Sequence, residues 1–243
     1  MKKLVPAFLF IWLCLPPLVQ AKYEKDVLDS ATGDLVATFL GHGSLMLEFN
    51  KQIIQIDPWS KAADYAFLPK ADIVLITHNH PDHLDPVALK KTRHPTTTVI
   101  VSENCATAVA GAQVMKNGEA RVLNTIGIMA MPAYNMVHKR DNGELYHPRG
   151  EGNGYLLTFN KTRVYIAGDT ENIPEIDELQ DIDYAFLPMN LPYTMTPEMV
   201  ENAARNFKPK VLYPYHYGET DPKRLVELLK DLPEVEVRIR RMK

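Results

Sequence analysis

The chain has 243 residues, 27 Lys+Arg against 30 Asp+Glu, 8 His and a net charge of −3. At 46% hydrophobic and 23% charged residues it has the composition of an ordinary globular domain. That excludes a disordered chain and gives no footing for a protein held on nucleic acid by phosphate contacts. Two Cys exclude a disulfide framework and a Cys-rich zinc module, so metal or acid–base chemistry must come from His and carboxylates.

Residues 1–21 have the layout of a secretory signal peptide: Lys2-Lys3, an apolar run over 4–15 broken only by Pro6, then Val19-Gln20-Ala21. The run is too short to span a bilayer and Pro16-Pro17 would break a helix, so no stable membrane anchor is expected. A lipobox at Cys14 is the lesser reading, because Leu13 before it is not small. Removal of 1–21 would leave Cys105 as the single thiol. Residues 22–243 then read as one domain, periplasmic or secreted.

Short apolar runs bounded by Gly, Pro, Asn or Asp predict strands over 36–41, 45–49, 52–57, 72–77, 98–101, 121–123, 126–131, 155–159, 163–167, 182–187, 211–213 and 234–239. Asn160-Lys161 fits a hairpin turn between two of them. Asp85-Pro86, Thr196-Pro197 and Asp221-Pro222 each set an N-cap before a first-turn proline, which predicts helices over 86–91, 197–206 and 222–230. Ser102 is expected to cap a further helix to residue 112. The order suggests packed sheets with helices outside. Asp-Tyr-Ala-Phe-Leu-Pro occurs at 64–69 and at 183–188, more consistent with chance than with duplication.

The strand over 72–77 runs into His78-Asn79-His80-Pro81-Asp82-His83. Alternation along an extended chain sends His78 and His80 to one side, and Pro81 keeps His80 extended. One pair can grip one metal while Asp82 and His83 grip another, and two ions roughly 3.5–4 Å apart suit a shared hydroxide nucleophile. Two other strand ends offer matching groups: Gly168-Asp169-Thr170, and His216-Tyr217-Gly218. Asp57, ending the strand over 52–57, is placed to orient a ligand His or to cap a turn.

His78-x-His80-x-Asp82-His83, with Asp57, Asp169 and His216 in order, resembles the signature of the metallo-β-lactamase fold superfamily over nearly all of the chain after residue 21. Gly41-His42-Gly43-Ser44, Pro132-Ala133-Tyr134-Asn135 and 193–197 make it similar to the branch of ascorbate-6-phosphate lactonase-like hydrolases. The phospholipase D acting on N-acyl-phosphatidylethanolamine is a more distant relative. The resemblance implies a four-layer αβ/βα sandwich with the metals at one edge. It implies His78 and His80 on the first metal, Asp82, His83 and His216 on the second, and Asp169 bridging. The superfamily usually has a His in its third motif, where this chain has Asn135. Asn135 would be a weak ligand; His138 or, preferably, His147 in the polar loop that follows would replace it. His42, Tyr193 and Tyr217 are expected to line the substrate pocket.

The function expected is a metal-dependent hydrolase that uses a metal-bound hydroxide, oriented by Asp82, on an ester, lactone or phosphodiester. The alternative is a non-catalytic metal-binding or interaction protein on the same fold. Zinc, one or two per chain, suits His-rich ligation with two Asp, and manganese or iron would also fit. The partner expected is a small-molecule substrate, with self-association as in the family.

Overall fold

A computed structural model describes residues 22–30 and 33–243; the expected signal peptide lies outside the described residues. The described residues form two seven-stranded mixed sheets. The first contains β1 (Glu24–Leu28), β2 (Leu35–Gly41), β3 (Ser44–Phe49), β4 (Gln52–Ile56), β5 (Ala71–Ile76), β6 (Arg93–Val101) and β7 (Gln113–Val114), in that order. The second contains β8 (Ala120–Leu123), β9 (Ile126–Ala133), β10 (Gly152–Phe159), β11 (Thr162–Ile166), β12 (Tyr184–Pro188), β13 (Val211–Tyr215) and β14 (Glu236–Val237), also in sequence order. In each sheet the first four strands pair antiparallel and the rest are parallel.

The period-2 pattern explains the layering. In β4 and β5, Ile54, Ile56, Ile73 and Leu75 face the second sheet, where Ile128, Leu157, Val164 and Phe186 meet them. The alternate residues Ile53, Val74 and Ile76 pack with Ala88 and Leu89 of α1 (Pro86–Thr92). On the far side, Val200, Ala203 and Ala204 of α3 (Pro197–Phe207) and Leu225 of α4 (Lys223–Leu228) join the central core. Helix, sheet, sheet and helix therefore stack as the expected αβ/βα sandwich. A short α2 (Pro174–Asp177) completes the helices. No helix among the described residues is long and apolar enough to cross a membrane.

Local chemistry sets the boundaries. Asp85 accepts from the N–H groups of Val87 and Ala88, and Thr196 from that of Met199, as their places before proline predict. Asn160 takes positive φ in the β10–β11 hairpin. The helix expected after Ser102 is absent: Glu103–Cys105 make one 3-10 turn and the chain continues in turns. Ser102 Oγ bonds to Asn104 Oδ1 and Cys105 Sγ rather than to a free N–H, so it starts no helix. The repeated hexapeptide forms turns at 64–69 and strand β12 at 183–188, so its two copies have no common structure.

Parallel strands leave their carboxyl ends on one edge. There β4 delivers Asp57, β5 delivers residues 78–83, β11 delivers Asp169 and β13 delivers His216. The β2–β3 turn adds His42 at the same edge, where its carbonyl accepts from the N–H of His216 at 3.1 Å.

Candidate metal centre

Four ligand-capable side chains gather twice on this edge. His78, His80, His147 and Asp169 form one group and His42, Asp82, His83 and His216 the other, with ligand atoms within 4.8 Å of one another in each. Asp169 lies between them. Its Oδ2 is 3.4 Å from His147 Nε2, 3.8 Å from His78 Nε2 and 3.7 Å from His216 Nε2, and its Oδ1 is 3.5 Å from His83 Nε2.

Backbone geometry makes this convergence possible. Asp57, His42 and His216 all take positive φ, so each strand or hairpin turns sharply as it presents its side chain. Gly168 has φ +67°, and a Cβ there would lie 2.7 Å from the Asn153 carbonyl, which leaves glycine as the residue that lets Asp169 follow β11 directly.

Buried neighbours fix the imidazole tautomers. Thr77 Oγ1 donates to Asp57 Oδ2 at 2.6 Å and so accepts from His78 Nδ1 at 3.0 Å. His83 Nδ1 donates to Asp57 Oδ2 at 2.8 Å, and Asp57 Oδ1 accepts from the Thr77 N–H. His147 Nδ1 donates to Asn135 Oδ1 at 2.6 Å. With Nδ1 engaged as a donor, Nε2 is the ring atom that each turns toward the cluster. His78 Nε2, His147 Nε2 and Asp169 Oδ1 are buried without a hydrogen-bond partner. His83 Nε2 and His216 Nε2 stand 3.1 Å apart, an arrangement that needs a proton or a cation at that place. Buried orphaned donors of this kind fit divalent cations.

Charge points the same way. Burial holds His78 well below the usual imidazole range, with His83 next in effect; burial and His147 bring His80 down to about 4. These rings are neutral, as ligands must be. Burial acts to lower His83 as well, but the carboxylates of Asp169, Asp57 and Asp82 outweigh it and raise the ring to about 10. The environment of His83 thus calls for positive charge, which a divalent cation would also supply. Burial opposes ionisation of Asp82, yet His216 and His42 keep it well below the usual carboxylate range. Its Oδ2 accepts from His42 Nε2 at 2.9 Å.

The structure therefore brings His78, His80, Asp82, His83, Asp169 and His216 together, with Asp57 behind His83. Asn135 is not among the ligand atoms. Its Oδ1 accepts from the ring and the backbone N–H of His147, and its Nδ2 donates to Glu171 Oε1 and the Tyr193 carbonyl. Every polar atom of the amide is thus turned away from the cluster, and His147 occupies the place expected of a ligand. His138 stands beside Glu171 instead: its backbone N–H donates to Glu171 Oε1, and its ring Nδ1 lies 2.7 Å from the same oxygen. His42 stands inside the second group rather than on an outer wall. Tyr217 does not line the pocket: its hydroxyl donates to the Arg240 carbonyl and accepts from Met242 N–H. Tyr193 does line it, beside Arg140, Tyr146 and Asn190, which no motif marked. Glu171 was also missed, although it lies two residues past Asp169.

The fold and the double donor cluster define a metal-dependent hydrolase of the metallo-β-lactamase type. The model for the β-lactamase superfamily domain matches residues 37–216. The UPF0173 metal-dependent hydrolase of Pelotomaculum thermopropionicum is 30% identical over 220 residues, which cover 83% of this chain and 95% of that protein. A candidate metal-dependent hydrolase from Parabacteroides distasonis is 48% identical with a TM-score of 0.87, covering 91% of this chain and 100% of the other. A metallo hydrolase from Ignicoccus hospitalis is 25% identical with a TM-score of 0.70, covering 85% and 95%. The chain belongs to the β-lactamase superfamily and, within it, to the UPF0173 metal-dependent hydrolases.

Proposed function

We propose that this hydrolase works with two metal ions per chain and opens an ester, lactone or phosphodiester in a small molecule. The observation that carries the reading is the pair of four-donor groups with Asp169 between them. In this reading His78, His80 and His147 would hold one ion and Asp82, His83 and His216 the other, with Asp169 between the two groups available to both. Zinc suits the donor set, and manganese or iron fits it as well.

Metal held there would supply Lewis acidity, to activate a water and to polarise the carbonyl or phosphoryl oxygen. The chain supplies the rest. Asp57, Thr77 and Asn135 hold three imidazoles in the tautomer that leaves Nε2 free. Asp82, ionised and half-buried at the cavity floor, spends one oxygen on His42 and keeps the other to orient the attacking water. Tyr193 forms part of the wall against which the substrate rests. Export to the periplasm or beyond belongs to the same proposal, supported by Lys2-Lys3 and the apolar run that follows them.

The test is elemental analysis of protein purified without chelator, followed by a panel of lactones, esters and phosphodiesters. About two ions per chain and turnover of one class are expected. His80→Ala should abolish turnover while the fold survives. A fully active His80→Ala variant sinks the reading, and one ion per chain overturns its dinuclear form.

A further inference from the structure

Above the two donor groups lies a cavity of about 350 Å³, walled by His80, Asp82, His147, Tyr146, Tyr193 and Arg140 among others. Arg140 is the one Lys or Arg in that wall. Unlike Arg149 in the same loop, which pairs with Glu175 at 2.8 Å, Arg140 makes no ion pair among the described residues.

Arg140 is nonetheless held in place. The loop folds back on itself through a bridge between Lys139 and Leu145, with Arg140 N–H donating to the Glu144 carbonyl at 2.7 Å and Gly143 N–H to the Arg140 carbonyl at 2.9 Å. The guanidinium lies over the Tyr146 ring, 5.2 Å from its centre, and Nη2 donates to the Tyr146 carbonyl at 3.1 Å. Tyr146 in turn meets Tyr193 edge-on at 4.9 Å, and the Tyr193 carbonyl accepts from Asn135, the partner of His147. A cation is thus tied through two aromatic rings to the framework of the donor cluster, while most N–H groups of its fork have no acceptor among the described residues.

We propose that Arg140 is a specificity-determining residue, and that the cavity takes a small substrate with a carboxylate or phosphate group set away from the bond that is broken. This rests on the hydrolase reading above. The planar fork of arginine matches two oxygens of such a group, and the Tyr146 ring keeps the fork flat and oriented before the ligand arrives. Bound divalent cations would outweigh the charges of Asp82 and Asp169, so a doubly anionic ligand also suits the cavity as a whole.

The probes are glutarate, 3-phosphonopropionate and, as the singly charged control, butyrate. Each is titrated calorimetrically into zinc-loaded protein whose zinc content is measured in the same sample. At least one of the two-ended anions should bind roughly tenfold or more tighter than butyrate. Arg140→Ala should erase that advantage with zinc content and butyrate binding unchanged. Arg140→Lys should restore only part of it, because an ammonium is a point charge without the fork. Whichever anion loses more affinity in Arg140→Ala identifies the group as carboxylate or phosphate. Butyrate binding as tightly as both two-ended anions, or an Arg140→Ala variant that keeps the preference, overturns the proposal. Failure of the hydrolase reading would look different: the anion preference would persist in a zinc-loaded protein that turns over no ester, lactone or phosphodiester.

Discussion

Asn135→Ala tests how the first donor group is assembled. The amide is buried, as are His147 and Glu171 around it. Truncation removes the acceptor of His147 Nδ1–H and of His147 N–H, and the donor to Glu171 and the Tyr193 carbonyl. Glu171 still accepts from three backbone N–H groups, at residues 136, 137 and 138, so it remains satisfied. The two His147 donors do not. A buried polar group left without its partner costs about 1–3 kcal/mol, so the pair sums to about 3 kcal/mol once water enters the space left by the amide. For a chain of this length that corresponds to a fall in Tm of about 6–12 °C.

The same change frees the His147 ring to rotate and to exchange tautomers. Loss of such a supporting hydrogen bond weakens metal binding by about 10–100-fold. The two effects separate experimentally. Thermal unfolding in excess chelator reads the hydrogen-bond loss alone, and competition with a chromophoric chelator reads the affinity of the weaker ion. An Asn135→Ala variant with the wild-type Tm in chelator and wild-type affinity for both ions would refute the chain of contacts from Asn135 to His147.

Other perturbations discriminate between neighbouring parts of the site. Asp57→Ala strips the acceptor from His83, Thr77 N–H and Thr77 Oγ1 at once, in a fully buried place, and should cost about 3–5 kcal/mol together with the second ion, read by denaturant unfolding and metal content. Gly43→Ala would set a Cβ 3.0 Å from His83 Cε1 and 3.3 Å from His216 Cδ2, so it should lower occupancy of the second group selectively; equal loss from both groups in spectroscopically resolved cobalt titrations would count against the assignment. His138→Ala should keep the wild-type metal content, since that ring stands beside Glu171 and in neither donor group, and loss of an ion would show that the loop had been misread. Removal of metal should destabilise the fold: at a free concentration 1,000 times Kd one bound ion adds about 4 kcal/mol, or about 8–16 °C in Tm, and coincident melting curves with and without chelator would contradict a buried centre.

The parts of this site that were legible in the sequence are those where the ligand follows its strand without interruption. His78, His80, Asp82 and His83 leave β5 together, and Asp57, Asp169 and His216 stand one to three residues past strands whose apolar runs are plain. The core strands were equally readable because both faces are apolar. β1 was not: in the edge strand Glu24-Lys25-Asp26-Val27-Leu28 the exposed face is Lys25 and Val27 while the half-buried face carries Glu24 and Asp26, held in part by the Arg240–Asp26 ion pair from the other end of the chain. No local pattern can announce such a contact. His42 was expected on the pocket wall and not among the donors, because its approach to Asp82 depends on how the β2–β3 hairpin packs on the chain after β5. Tyr217 misled for a related reason: its neighbour His216 turns inward while its own ring goes to the C-terminal segment.

His147 is the most instructive position, because its contribution comes from a loop rather than from a strand end. After β9 the chain passes Asn135, makes the small folded turn that holds Arg140, and returns with Tyr146 and His147. The Asn135 N–H donates to the His147 carbonyl and the His147 N–H to the Asn135 side chain, so the two ends of the loop close on each other. On the two-ion reading, a metal held by His147 would favour the closed loop, and the closed loop holds Tyr146 and through it Arg140. Two ligands that both favour one loop conformation assist each other by the same factor in either direction. Filling the first metal group should tighten the binding of a two-ended anion, and that anion should tighten the metal. In a protein whose third ligand stood at the end of β9, the metal would be held without the loop and this coupling would be lost. Titration of glutarate or 3-phosphonopropionate into protein carrying one ion and then two measures it directly; affinities that do not change between the two states would show that the loop closes independently of the metal.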